Sequence, residues 1–225
     1  MSKDRPVLFS APMVRALLAR AKTQTRRVIN PQPDWDAEVV RTILDGLVWP
    51  IGGFNQQCGG PIQLPRFAVG DLLYVREAWR TLHANDCLAP RQLADDSSKV
   101  TYEADPENRN PLWAFGKFRQ GMHMPRWASR LTLTVAQVRV QRLQEISEAD
   151  AIAEGCRPIG SEFLIPGQYL YSDPSKPRTA LSATSAYESL WNGLNEPRGF
   201  GWDTNPWVVA VSFSVIKQNI DQVKP

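Results

Sequence analysis

Residues 131–140 read Leu-Thr-Leu-Thr-Val-Ala-Gln-Val-Arg-Val, alternating closely enough to make one long strand or two joined by a bulge. On the C-terminal side, Ser147 followed three residues later by Asp150 forms a capping box; AIAE supplies a helix body and Gly155 stands at the C′ position. Ala183 to Leu194 reads as a further helix, and residues 206–216, PWVVAVSFSVI, as a closing strand. On the N-terminal side, Gly70-Asp71 turns the chain into LLYVREAW, a mostly buried strand, and Lys99 to Ala104 reads as a second. Ser10 and Pro12 open a short helix whose apolar stripe, Met13, Val14, Leu17 and Leu18, runs to about Arg20. The stretch KTQTRRVINPQP, 22–33, predicts a turn, an exposed strand and a linker; residues 34–49 are ambiguous.

Loops separate these elements, with insertions expected near 50–65, 82–98, 105–121 and 156–182. Short helices beside strands with no βαβ rhythm argue for an α+β fold on a mixed, largely antiparallel, barrel-like sheet, and for a single domain over 1–225. With 43% apolar and 22% charged residues, the 225-residue chain lacks the composition of a disordered protein. It has no continuous apolar run of the ~18 to 20 residues that a membrane helix needs, and the first ten residues have no signal-peptide core, so a cytoplasmic location without membrane partners is expected. Three cysteines at wide spacing imply reduced thiols rather than a disulfide framework. His83, Cys87, Cys58 and His123 match no familiar zinc spacing, so neither metal nor cofactor is expected.

Charge is uneven along the chain. Arg5 to Pro33 holds six basic residues and no acid, and Asn108 to Gln144 holds seven and no acid. If the two windows meet in space they form one positive face, suited to phosphate-bearing ligands. The second window also interleaves aromatics with cations: Trp113, Phe115, Phe118, His123, Arg126, Trp127 and Arg130. Aromatic faces stack on unpaired bases while arginines grip phosphates, so the pattern suits single-stranded or flipped-base recognition. Arg20, Arg26, Arg27, His123, Arg126, Trp127 and Arg130 are the candidate nucleic-acid contacts.

Lys22-Thr23-Gln24-Thr25-Arg26-Arg27 after a short helix, Val69-Gly70-Asp71 feeding a strand that ends Val75-Arg76-Glu77, and an apolar C-terminal strand occur in an order that resembles the ASCH family of the PUA-like barrel superfamily. The phage and prophage members look most similar, given LFSAPMVRALLARAKTQTRRV, GDLLYVREAW, HMPRWASR, ISEADAIAEG and NPWVVAVSF. The resemblance implies a PUA-like β-barrel. Lys22 and Arg27 fall on the Lys and Arg of the family's Gly-x-Lys-x-x-Glu-x-Arg signature, while Arg20 stands for its Gly and Thr25 for its Glu. Within the family, the small N4-acetylcytidine amidohydrolases carry Lys and Thr at this spacing and a Glu from a later strand. Their pattern implies Lys22, Thr25 and Glu77 as catalytic residues. A threonine hydroxyl becomes nucleophilic when a base takes its proton, a lysine desolvated among cations can be that base, and a carboxylate can shuttle a proton to the leaving amine.

Three function classes follow. A module binding RNA, single-stranded or flipped-base DNA, or a modified nucleobase is the first expectation. An enzyme is the second: an N4-acylcytidine amidohydrolase, or a ribonuclease, for which no matched acid and base appear. A phage accessory protein docking on a host protein through the long loops is the third.

Overall fold

The computed structural model describes residues 4–32, 37–43, 47–52, 62–63, 67–96, 99–105, 115–159, 170–172, 174 and 179–223. In chain order the elements are β1 (Asp4–Leu8), α1 (Ala11–Leu18), β2 (Gln24–Val28), β3 (Ala37–Ile43), β4 (Leu47–Gly52), β5 (Ile62–Gln63), β6 (Leu72–Arg76), β7 (Trp79–Arg80) and β8 (Thr101–Tyr102). They continue with β9 (Thr132–Arg142), α2 (Glu148–Ala153), β10 (Arg157–Ile159), β11 (Leu170–Ser172), β12 (Thr179–Ala180), α3 (Ala183–Asn195) and β13 (Trp207–Ile216). The fold is α+β, and its main sheet has the linear order β1-β6-β9-β13-β2. The chain divides into two compact units, one formed by residues 1–20, 70–134 and 214–225, the other by 21–69 and 135–213; β9 and β13 run through both.

In the first unit β1 lies parallel to β6, Asp4 beside Leu72 and Leu8 beside Arg76, and β6 is antiparallel to the start of β9. DRPVL gives no strand signal in sequence: it is short and Pro6 removes a ladder donor, which an edge strand tolerates. Helix α1 has proline in its first turn and buries Val14 and Leu17. The run LLYVREAW, expected as one strand, breaks at Glu77-Ala78. Val75 N still reaches Leu131 O, but the Glu77 amide donates to the Met124 thioether at 3.4 Å and the Trp79 amide to Arg119 O, an isolated bridge, while β7 pairs with β8 through Trp79 opposite Tyr102. Within the 82–98 loop, the buried Arg119 donates to the carbonyls of Asn85 and Leu88.

In the second unit β2 is antiparallel to β13, Thr25 opposite Val211 and Arg26 opposite Ala210. The expected exposed strand is therefore a buried one: Gln24, Thr25 and Arg26 are all buried. Half of the expected capping box forms, Ser147 Oγ accepting from the Asp150 amide at 3.1 Å while the Asp150 carboxylate turns to Arg26, Arg139 and Gln24, and Gly155 takes a left-handed φ of +106° just past α2. Helix α3 buries Ala183, Ala186, Tyr187, Leu190 and Trp191, one helical face by spacing. Its first amides, Ala183 and Thr184, donate to the Glu148 carboxylate, which burial raises but these and the Ser182 and Thr184 hydroxyls hold below its ordinary pKa. The ambiguous residues 34–49 supply the β3–β4 hairpin, which β5 extends to three strands, and the expected 156–182 loop contains the small β10–β11–β12 sheet. Among the described residues, no helix is long and apolar enough to cross a membrane.

Gly121 is required by close approach. A Cβ built there would meet Leu8 Cδ1 at 2.8 Å and the Glu77 carbonyl carbon at 2.9 Å. Gly121→Ala should therefore cost about 1 to 3 kcal/mol in urea unfolding, since backbone must yield to make room. An unchanged midpoint would contradict this contact.

Candidate functional site

Lys22 sits just before β2 with no solvent exposure. The segment carrying it is fixed by backbone, because Thr23 N donates to Ala153 O at 2.8 Å and Phe213 N to Thr23 O at 2.9 Å. Its ammonium donates to the Glu154 carbonyl at 2.8 Å and to Glu154 Oε2 at 2.6 Å, so it also satisfies the C-terminal end of α2. The second Glu154 oxygen accepts from Arg26 Nη1 at 3.1 Å, and Arg26 Nη2 donates to Asp150 Oδ2 at 2.9 Å. Asp150 Oδ1 in turn accepts from Arg139 at 2.8 Å and from Gln24 at 3.2 Å. The Tyr187 ring of α3 lies 5.8 Å from the Arg26 guanidinium carbon. Lys22, Glu154, Arg26, Asp150 and Arg139 thus form a chain of alternating sign that reaches solvent at Arg139.

Burial lowers the Lys22 pKa, and Arg27 adds to this, while the Glu154 carboxylate opposes it. Burial would raise Asp150, but Arg139, Arg26 and Gln24 hold it below its ordinary value. Thr25, three residues from Lys22, is buried on β2, and Arg27 follows on the same strand, half-buried. Removing one partner from a buried pair of this kind costs on the order of 3 to 5 kcal/mol, because the other charge is left without compensation.

Glu77 lies in the first unit, whereas Lys22 and Thr25 lie in the second. It is 1% exposed and accepts a two-pronged contact from Arg130, Nε to Oε1 at 2.9 Å and Nη2 to Oε2 at 3.0 Å. Arg130 also grips Asp105, its Nη2 2.9 Å from Oδ1, and its guanidinium carbon lies 3.9 Å from the Tyr102 ring centroid. Burial raises the Glu77 carboxyl above its ordinary range against the pull of Arg130, and pushes the Tyr102 hydroxyl up to about 12.

The other candidate contacts differ in what they offer. Arg26 is buried within its network; Arg126 places Nη2 2.7 Å from both Asp4 and Asp221. Trp127 is half-buried against Trp79, Leu93, Met124 and Ala128 and lines a cavity of about 300 Å³. Arg20 and His123 are exposed. So is Phe118, half of it open to solvent, with the Arg80 guanidinium carbon 5.8 Å from its ring. Trp113 and Cys58 lie outside the described residues. Among those described, no three His, Cys, Asp or Glu side chains gather to hold a metal ion, and His83 pairs with Asp86. Glu154 and Asp150 carried no functional signal in sequence beyond the capping box, since what joins them to Lys22 is a fold contact across more than a hundred residues.

No protein-family model and no curated protein matches the chain. Among solved structures, protein EF3133 of Enterococcus faecalis V583, described with the family model DUF984, aligns over 100% of this chain and 87% of its own at 10% identity, with a TM-score of 0.39. That likeness is too loose to carry an argument.

The Glu77–Arg130 contact makes a pH-dependent prediction. A carboxyl whose pKa is higher in the folded than in the unfolded state binds its proton more tightly on folding, so its contribution to stability falls as pH rises through the folded value. Arg130→Met removes the opposing cation, raising that value further. The variant should lose roughly 3 to 5 kcal/mol at pH 7 and visibly less at pH 5, where a protonated Glu77 needs no partner. Urea titrations at the two pH values test this, and an equal loss at both would refute it.

Proposed function

We propose that this protein is an ASCH-like, PUA-barrel-related hydrolase of phage type that cleaves the amide of an N4-acylated cytidine, with Lys22 as base and Thr25 as nucleophile. One observation carries the reading: Lys22, three residues before Thr25, is wholly buried, and burial lowers the pKa of its amine. In the fraction of molecules whose Lys22 has shed its proton, the amine takes the Thr25 hydroxyl proton as the oxygen attacks the acyl carbon. The carbon–N4 bond then breaks as Lys22 returns that proton to N4, releasing cytidine and leaving an ester on Thr25. Water, deprotonated by Lys22, attacks the ester, and the products are the carboxylic acid and the regenerated hydroxyl. Lys22 balances every proton in this sequence, so Glu77, taken up by Arg130, is left out of it.

The alternative is the binding module, for RNA or single-stranded DNA. It is favoured by exposed Phe118 and His123 in the acid-free window of the first unit, with Arg80, itself paired with Glu103, beside the phenyl ring. Against it, Arg26, Arg126 and Arg130 are engaged by carboxylates. The third class, docking on a host protein through the loops, has no observation in its favour.

Chromatography of N4-acetylcytidine reactions tests the first reading. Wild type should release cytidine, and Thr25→Val and Lys22→Arg should each lower turnover by at least ~10² to 10⁴-fold, since arginine keeps the charge but cannot act as a base. No release by wild type would end it. The alternative predicts shifts of single-stranded RNA or DNA that Phe118→Ala weakens and that fade steeply with salt, by on the order of a hundredfold between 50 and 200 mM for ~4 to 6 phosphate contacts. Salt-independent binding, or none at low salt, would remove it.

A further inference from the structure

We infer that Glu154 is a positioning residue for Lys22, holding its amine at the end of α2 and, because it shares its carboxylate with Arg26, setting how tightly Lys22 keeps its proton. The functional meaning rests on the amidohydrolase reading; the coupling itself rests on geometry. Lys22 Nζ has two acceptors from one residue, the Glu154 carbonyl at 2.8 Å and Oε2 at 2.6 Å, which fixes the amine in position as well as charge. The carboxylate is not dedicated to Lys22, since its other oxygen accepts from Arg26 at 3.1 Å. Arg26 is anchored independently by Asp150 at 2.9 Å and also donates to Gln24 Oε1, so it stays against Glu154 whatever Lys22 does. The groups facing Lys22 are Glu154 and Cys156 from the end of α2 and Arg27 from β2, with Tyr187 of α3 over Arg26.

A carboxylate divided between two cations stabilises each less than an undivided one would. This predicts opposite effects for two substitutions. Glu154→Gln keeps the shape but removes the carboxylate that Lys22 meets at 2.6 Å, leaving a buried amine beside arginines that sheds its proton more easily. Arg26→Gln gives Lys22 the whole carboxylate, so it keeps the proton more tightly. An ion pair that served stability alone would also displace the Lys22 midpoint, but it would leave the acidic limb of the kcat/KM profile where it is in wild type.

The test uses the full chain with ¹³Cε-labelled lysine, Lys22 being assigned by the resonance missing from Lys22→Arg. Its midpoint is followed by NMR in wild type, Glu154→Gln and Arg26→Gln, beside the pH profile of kcat/KM for N4-acetylcytidine. We expect the midpoint and the acidic limb of the profile to fall by about one unit in Glu154→Gln, a tenfold loss of proton affinity, and to rise in Arg26→Gln. Shifts in the same direction, or none, in variants whose circular dichroism matches wild type overturn the inference. If one variant does not fold, the other alone decides by the sign of its shift. Opposed midpoints without cytidine release would uphold the coupling and end the amidohydrolase reading; release with unmoved midpoints would do the reverse.

Discussion

An ammonium group removed from water must find its counter-charge inside the protein, and at Lys22 that requirement organises the second unit. Glu154 supplies the charge only if α2 ends where the segment before β2 begins, which the Thr23–Ala153 backbone bond fixes. With Glu154 in place, Arg26 can be buried in β2, and its remaining arm demands Asp150, which needs Arg139 and Gln24 to complete its own contacts. Each ion is tolerable because the next is present. The network is expensive to break at any link and adds little that a well-packed apolar core would not supply. Such an arrangement is worth having where a particular proton must be controlled, and the Lys22–Thr25 reading gives it that use.

The same network explains why charge read along the chain overstates charge on a surface. Arg5 to Pro33 and Asn108 to Gln144 contain no acid, yet Arg26 meets Asp150 and Glu154, Arg126 meets Asp4 and Asp221, and Arg130 meets Glu77 and Asp105. Compensation came from distant segments, and composition within a window contains no information about what lies across the fold. Exposed Phe118 and His123 keep the character the interleaved pattern implied; the arginines around them are partly committed elsewhere.

Two kinds of stretch were legible for simple reasons: α1 and α3 each bury one face, which imposes a period on the sequence, while β13, buried on both faces from Trp207 to Val211, shows as a continuous apolar run. Elements set by contacts elsewhere were not. β1 is recognisable only beside β6, and β6 ends at Arg76 because the next amides, of Glu77 and Trp79, turn to Met124 and Arg119. The burial of β2 was hidden by its composition, since Gln24, Thr25 and Arg26 look like a solvated strand until their partners on α2 and β13 are known. At the candidate site, Lys22 and Thr25 were visible as a spaced pair of reactive types. Glu154 was not, because nothing local distinguishes a helix-terminal glutamate in solvent from one bearing a buried cation.

The order in which the units draw on the chain has a consequence for synthesis. The first unit takes its segments from both ends of the sequence, 1–20 and 214–225, around 70–134, while the second is assembled from 21–69 and 135–213. A ribosome therefore delivers β1 and β6 long before the last turns of β13 that belong to the same unit, and the second unit has all its segments first. Contacts of such large sequence separation are slow to close, although β6 finds both of its sheet neighbours, β1 and β9, before residue 214 is made. Residues 214–223 thus reach back to segments made about ninety residues earlier: Asp221 meets Arg126, and the Asn219 amide holds the carbonyls of Arg126, Trp127 and Ser129.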